Sequence, residues 1–235
     1  MKHFIDAHCH FNQAAFAGYS GPGHFICNSV TTDDWGPIIA AATKDKCIHP
    51  AIGLHPWHVC GANSSCLDEL RRLLTENPSV MVGEIGLDAA RDNLPVQCDM
   101  FAAQYLIAAE MKRSAHTHCV RAWDKMLHFF KALPTPPVVV AHRFSGNANI
   151  LASACAISDS IYFSYRDVDA ARLGHVVAQT PMDRILVETD GAAPDMEKIR
   201  DAISNIAQIH GKTFTDMADI IYDNSLRVIN NGQTA

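Results

Sequence analysis

Val138-Val139-Val140-Ala141-His142 is a short apolar run, three of its residues β-branched, that stops on an imidazole. Hydrophobic at every position rather than at alternate ones, it reads as a strand buried on both faces, the mark of a parallel sheet covered by helices. Four other runs end in the same manner. Residues 4–6 lead into His8 and His10, 80–83 into Glu84, 115–117 into His118, and 185–189 into Asp190. A row of hydrophobic strands tipped with His or carboxylate is how a parallel β/α barrel assembles an active site from distant parts of a chain. The pattern points to a hydrolase that works with bound metal.

Working outward, apolar runs alternate with segments of helical period. Strands are predicted at 3–8, 24–30, 47–54, 79–84, 114–118, 137–142, 159–164 and 184–189. Helices are predicted at 32–45, 65–77, 97–113, 121–132, 147–156, 167–180, 195–210 and 214–230. Thr31-Thr32-Asp33-Asp34 and Thr213 or Thr215 supply helix starts, while Asn77-Pro78 and Leu133-Pro134 supply stops. Eight such units fit a small (β/α)8 TIM-type barrel, read as one domain over residues 1–235. Residues 11–23 are too Gly-rich for a full first helix. A doubly wound open sheet is the alternative, but it gathers ligands at one switch point rather than at five strand ends.

The chain has 235 residues, 48% hydrophobic and 19% charged, with a net charge of −6. An acidic protein lacks the broad basic surface of a bulk nucleic-acid binder, although a local cationic cleft or bound metal still accommodates phosphate. The 8 Cys form no C-x-x-C. With neither a signal-peptide core nor a membrane-length apolar run, the expected protein is reduced and cytoplasmic, with no membrane association and no evident obligatory protein partner.

His8 and His10 stand two apart on a strand, so both imidazoles point the same way and reach one ion. With 13 His in the chain, about one such pair arises by chance. His116-Thr117-His118 is a second such pair, and His116 falls one layer deeper than the expected ligands. Glu84 ends an apolar run, where a carboxylate is costly unless paired or metal-bound, and it is the natural bridge between two cations. Asp190, on the last strand, stands beside the first after barrel closure. There it can touch the ion held by His8 and His10 and take a proton from its water. Asp6 and Glu188 share the inward face behind the ligands. Asp6 is expected to accept a hydrogen bond from a ligand His, and Glu188 to support the site from below. The set suits zinc, manganese or magnesium, with imidazole favouring the first two.

The blocks Asp6-Ala-His8-Cys-His10, Gly53-Leu-His55-Pro-Trp57, Gly83-Glu84-Ile-Gly-Leu-Asp88, His118-Cys-Val-Arg121-Ala, His142-Arg-Phe-Ser145-Gly146 and Glu188-Thr-Asp190 occur in that order. Together they resemble the TatD-like metal-dependent hydrolases of the amidohydrolase superfamily, from about residue 4 to residue 190. The resemblance implies a (β/α)8 barrel with up to two divalent metals, one on His8, His10 and Asp190, the other on His118 and His142, with Glu84 shared. It implies a deoxyribonuclease, commonly a 3′→5′ exonuclease, acting on DNA or another phosphoester. Three positions depart from the family pattern: Asn12 where an acid is usual, Ala89-Ala90-Arg91 where aromatics are usual, and the short stretch 11–23. All lie near the cleft mouth and bear on substrate, so a small-molecule amide, lactone or phosphoester is the alternative. A partner-binding scaffold on a retired barrel is disfavoured because no ligand is missing. His55, Arg121 and Arg143, with Arg166, are expected to meet substrate phosphate or a leaving group. Trp57 is expected to pack rather than to stack on a base.

Overall fold

The computed structural model describes residues 4–60, 64–168 and 170–231. Eight strands, β1 (Ile5–His10), β2 (His24–Asn28), β3 (Ile48–Ile52), β4 (Met81–Asp88), β5 (Ala115–Val120), β6 (Val139–Ala141), β7 (Ile161–Tyr165) and β8 (Ile185–Val187), lie in chain order in one sheet. Every neighbouring pair is parallel. Nine helices among the described residues accompany them: α1 (Gln13–Ala17), α2 (Trp35–Lys44), α3 (Ser64–Glu76), α4 (Leu94–Glu110), α5 (Trp123–Ala132), α6 (Ala148–Ile157), α7 (Ala170–Gln179), α8 (Met196–Ile209) and α9 (Phe214–Ile229). The sheet curls into a (β/α)8 barrel. At its seam Asp190 N donates to His8 O at 2.9 Å and His10 N to Gly191 O at 2.8 Å.

The strands read as continuous apolar runs because both of their faces are buried. Ile5, Ala7, Ile26, Ala51, Met81, Val140 and Leu186 fill the barrel interior, joined at its lower end by Tyr222, Leu226 and Ile229 of α9. The outward set, among it Val82, Ile85, Val139, Phe163 and Val187, packs on Leu70 and Leu74 of α3 and Phe101 and Tyr105 of α4. Burial of this kind, at roughly 25 cal/mol per Å² of apolar surface, is the main force closing the barrel. Helix starts follow side-chain chemistry. Thr213 accepts from Asp216 N, Asn147 from Ile150 N and Asp195 from Lys198 N, and Thr31 with Asp34 forms a capping box.

The eight strands and the short first helix match the sequence reading, with shifted ends. α1 has five residues and is capped by Asn12, which accepts from Ala15 N. β4 runs on to Asp88 and β5 to Val120, so Glu84 and His118 lie inside strands rather than at their ends. Register shifts between Asp6 and Cys9 in β1 and between Val82 and Ile85 in β4 mark irregularities of the bulge type, which re-aim a side chain. His3, the first residue of the expected first strand, and Asp169, within the expected 167–180 helix, lie outside the described residues. So do Gly61–Asn63 and both chain ends. No helix of the described residues is long and apolar enough to cross a membrane.

Candidate metal centre

Glu84 sits at the C-terminal end of the barrel, 2% exposed, ringed by five imidazoles. Its Oε1 is 2.8 Å from His118 Nδ1, 2.9 Å from His142 Nε2 and 3.5 Å from His55 Nε2. Its Oε2 is 3.3 Å from His8 Nε2 and 3.7 Å from His10 Nε2. Asp190, three residues past the end of β8, closes the group, with Oδ1 3.3 Å from His10 Nε2. Residues from five strands, separated by up to 182 positions between His8 and Asp190, thus meet around one carboxylate. Three overlapping groups have donor atoms within 4.8 Å of one another: His8, His142 and Asp190; His8, His10 and Glu84; and His55, Glu84 and His118. His142, expected on one side only, reaches across to His8, whose ring it stacks on at 3.9 Å.

The electrostatics are those of a buried anion facing bases that compete for a proton. Burial alone would raise the Glu84 carboxyl, but His142, His8 and His118 hold it well below the usual range. Burial likewise pushes His142 down, while the charges of Glu84 and Glu188 carry it well above an ordinary histidine. Burial keeps His8 low, with the charge of His142 adding to the effect. Both of its ring nitrogens are buried without a hydrogen-bond partner, as is His118 Nε2. Asp190 is held below the carboxylate range despite burial, by the bond to His10 and by His8 and His142. Imidazole nitrogens without hydrogen-bond partners, converging on buried carboxylates, are the donor set of a divalent cation with N and O ligands. The residues present fit a metal.

The surrounding residues set ring orientation. His10 Nδ1 lies 3.2 Å from Asn28 O; a proton donated there leaves the lone pair on Nε2, toward Glu84 and Asp190. His55 is arranged the opposite way. Its Nδ1 accepts from Trp57 N at 3.2 Å, so in the neutral ring Nε2 carries the hydrogen. Burial, the largest influence on His55, holds that ring below an ordinary histidine. Although His55 is close enough to ligate, its tautomer makes it a donor. Glu188 lies behind the site, with Oε1 3.3 Å from His142 Nδ1 and Oε2 accepting from Ser164 Oγ.

Asp6 corrects the sequence reading. Instead of a ligand imidazole, it accepts from Thr189 N at 3.0 Å, Thr189 Oγ1 at 2.5 Å and His8 N at 3.3 Å. The bulge in β1 turns it toward the seam, where it ties β1 to the chain just ahead of Asp190. Burial pushes its carboxyl up to about 7. His116 lies a layer below, fully buried, 5.9 Å from the His8 ring.

Of the expected substrate residues, Arg143 reaches Asp190 Oδ2 at 3.1 Å, and Arg166 reaches the same oxygen at 3.5 Å. Arg121 is exposed after β5 and makes no ion pair among the described residues. Two residues were missed. Asp88 stands 3.8 Å from His118 Nε2 and accepts from Ala90 N and from Trp57 Nε1. Its place at the end of the Gly83–Asp88 block was the available signal. Trp57, expected to pack, is 50% exposed. A cavity of 380 Å³, lined by His118, His142, Arg143, Phe144, Tyr165 and Arg166 among others, opens beside the cluster.

The chain matches the family model described as "TatD related DNase" over residues 5–230. It is 28% identical over 217 residues to an uncharacterized metal-dependent hydrolase, YjjV, of Escherichia coli K12, covering 82% of this chain and 80% of that protein. It is 33% identical over 144 residues to the 3′-5′ ssDNA/RNA exonuclease TatD of Erwinia billingiae, covering 59% of this chain and 55% of the exonuclease. The match thus spans little more than half the length of the named exonuclease. Among solved structures, E. coli YjjV superposes with a TM-score of 0.84 at 23% identity, covering 97% of this chain and 98% of that one. A TatD-family hydrolase from Entamoeba histolytica superposes with a TM-score of 0.80 at 17% identity, covering 97% and 98%. At these identities the superpositions speak to the fold alone.

Proposed function

Since the chain belongs to the TatD-related DNase family, we propose that it is a metal-dependent deoxyribonuclease that hydrolyses phosphodiester bonds in DNA in an exonuclease-like manner, through a single barrel domain. The observation that carries this reading is the position of Glu84. One of its oxygens faces His118 and His142, the other His8 and His10. That places a single carboxylate between two nitrogen-rich sets. The names of the exonuclease relatives support nucleic acid as the substrate class.

Two divalent ions, drawn from zinc, manganese and magnesium, fit the donors: one on His8, His10 and Asp190, the other on His118 and His142, with Glu84 shared. Ions held by these residues would supply Lewis acidity to a water and to phosphoryl oxygens. Asp190 is the carboxylate that would orient the attacking water and take its proton. Arg143 and Arg166, which share Asp190 Oδ2 in the free protein, turn to the phosphate oxygens as substrate arrives. His55 Nε2–H donates to an oxygen of the phosphate or leaving group, and Arg121 meets a phosphate further out. Glu188 and Asp6 hold His142 and the β1–β8 seam in place behind them. The cytoplasm is the proposed compartment, supported by eight cysteines that are all free thiols. No protein partner is invoked.

Two guanidiniums beside Asp190 favour an anionic phosphoester over a neutral amide or lactone, which would offer them no charge to turn to. A small phosphoester would satisfy them, and the 380 Å³ cavity has room for one. The wild-type protein with added manganese or magnesium is expected to release mononucleotides from a single-stranded DNA oligonucleotide, and a chelator to stop it. Asp190→Ala should slow the reaction by roughly 10²–10⁴-fold, and His8→Ala should slow it too. Equal rates for the wild type and both variants, or turnover of a small phosphoester with none of DNA, would contradict the reading.

A further inference from the structure

Trp57 takes no part in the metal centre, yet at 50% it has the highest exposure of the large hydrophobic side chains among the described residues. An indole in solvent is ordinarily free to change rotamer, but this one is held on three sides. Its Nε1–H donates to the buried Asp88 Oδ2 at 2.6 Å. The Arg91 guanidinium lies 4.5 Å from its ring centroid. Its edge meets the His55 ring at 4.9 Å and 84°. His55 Nε2 is in turn 3.5 Å from Glu84 Oε1, so one imidazole separates the indole from the carboxylate at the centre. Neither burial nor metal chemistry accounts for a half-exposed indole held this way beside His55 and His118, with Arg91 over one face and the rest of the ring open.

We propose that Trp57 is the platform on which an unpaired nucleobase beside the scissile phosphate stacks, and that it selects single-stranded over duplex ends. The inference rests on the phosphodiester reading above. An aromatic face accepts any base, because every base has a π-face, and so gives affinity without sequence readout. The Arg91 charge, already at the ring, adds attraction for a neighbouring phosphate. A base inside a duplex has both faces covered by its neighbours and offers none to the indole. The other rim, with Arg143 and Arg166, binds the phosphate, so the two sides of the cleft read two parts of one nucleotide.

Two measurements test this. In metal-free protein with chelator, where nothing turns over, a single-stranded oligothymidylate is expected to quench indole fluorescence saturably. Trp35 and Trp123 are 3% and 7% exposed, so Trp57 is the indole open to a stacked base. Absence of quenching overturns the proposal whatever the turnover shows. In the active enzyme, Trp57→Ala is expected to raise KM for a single-stranded oligonucleotide by roughly 5- to 150-fold, with kcat moved much less. Trp57→Phe should restore most of it. Trp57 also donates to Asp88, so an oligonucleotide with an abasic terminal nucleotide supplies the control. With no base to stack, wild type and Trp57→Ala should share one KM. An unchanged KM in Trp57→Ala, an equal loss on the abasic substrate, or a Phe variant as poor as Ala would each overturn the assignment. A wild-type protein that cleaves no oligonucleotide would instead sink the phosphodiester reading, leaving the quenching to decide on Trp57.

Discussion

Replacing Glu84 with glutamine is expected to abolish divalent-metal uptake at the centre and to lower turnover by at least ~10³-fold, about 4 kcal/mol of transition-state stabilisation. Glutamine keeps the volume of the side chain, so the barrel still closes. It removes the charge that both halves of the site share. In the free protein that charge, with Glu188, holds His142 well above an ordinary histidine against the effect of burial. Without it, the imidazoles no longer converge on an anion and repel a cation's approach when protonated. The effect is separable from misfolding by thermal melts. Metal at 100 times its Kd stabilises a binding-competent protein by about 2.7 kcal/mol. The wild type should show a corresponding rise in Tm with manganese, and Glu84→Gln none. A variant that keeps both the rise and the turnover would show that Glu84 is a bystander.

Replacing Gly86 with alanine is expected to cost about 3 kcal/mol or more of folding stability, or to leave no soluble protein. A Cβ built at Gly86 would lie 2.1 Å from His118 O and 2.8 Å from His118 C and Cβ. Gly86 and His118 are register partners in the β4–β5 ladder. β4 is buried along its whole length, so neither strand can step aside without disturbing the layers on both faces. Any relief moves the backbone of His118, whose Nδ1 faces Glu84 at 2.8 Å, so surviving folded protein should bind metal poorly. Gly18→Ala is the matched control. A Cβ there meets nothing within 4 Å, and the change should stay within about 0.5 kcal/mol. Urea midpoints for the two variants decide the matter. Equal midpoints would mean that β4 and β5 are less tightly joined than the backbone contact requires.

The barrel was legible because burial on both faces leaves a signal in every strand. Val138–Ala141 and Ile185–Val187 needed no periodicity to be recognised, since parallel strands between helices and a core have no polar side. Helix starts at Thr31 and Thr213 were legible because a cap is a local hydrogen bond. Strand ends were less so. Hydrophobicity stops at Glu84 and His118, but the chain stays extended for four and two residues beyond, because the site buries polar groups that ordinarily mark a strand's end. The choice of Asp6's partners was hidden for a different reason. Strand parity places Asp6 near His8, while its acceptance from Thr189 depends on a contact 183 residues away that forms only when the barrel closes. The exposure of Trp57 was likewise invisible, because its anchor at Asp88 belongs to another strand. The bond that His55 Nδ1 accepts from the Trp57 amide, by contrast, is local to the turn that Pro56 begins.

The most direct test of the central claim, that Glu84 is shared between two metal ions, is anomalous diffraction from crystals grown with manganese. Two peaks are expected, one within bonding distance of His8, His10 and Asp190, the other of His118 and His142, with a Glu84 oxygen on each and His55 Nε2 on neither. A single peak, a peak bonded to His55, or no peak beside Glu84 at saturating manganese would contradict it.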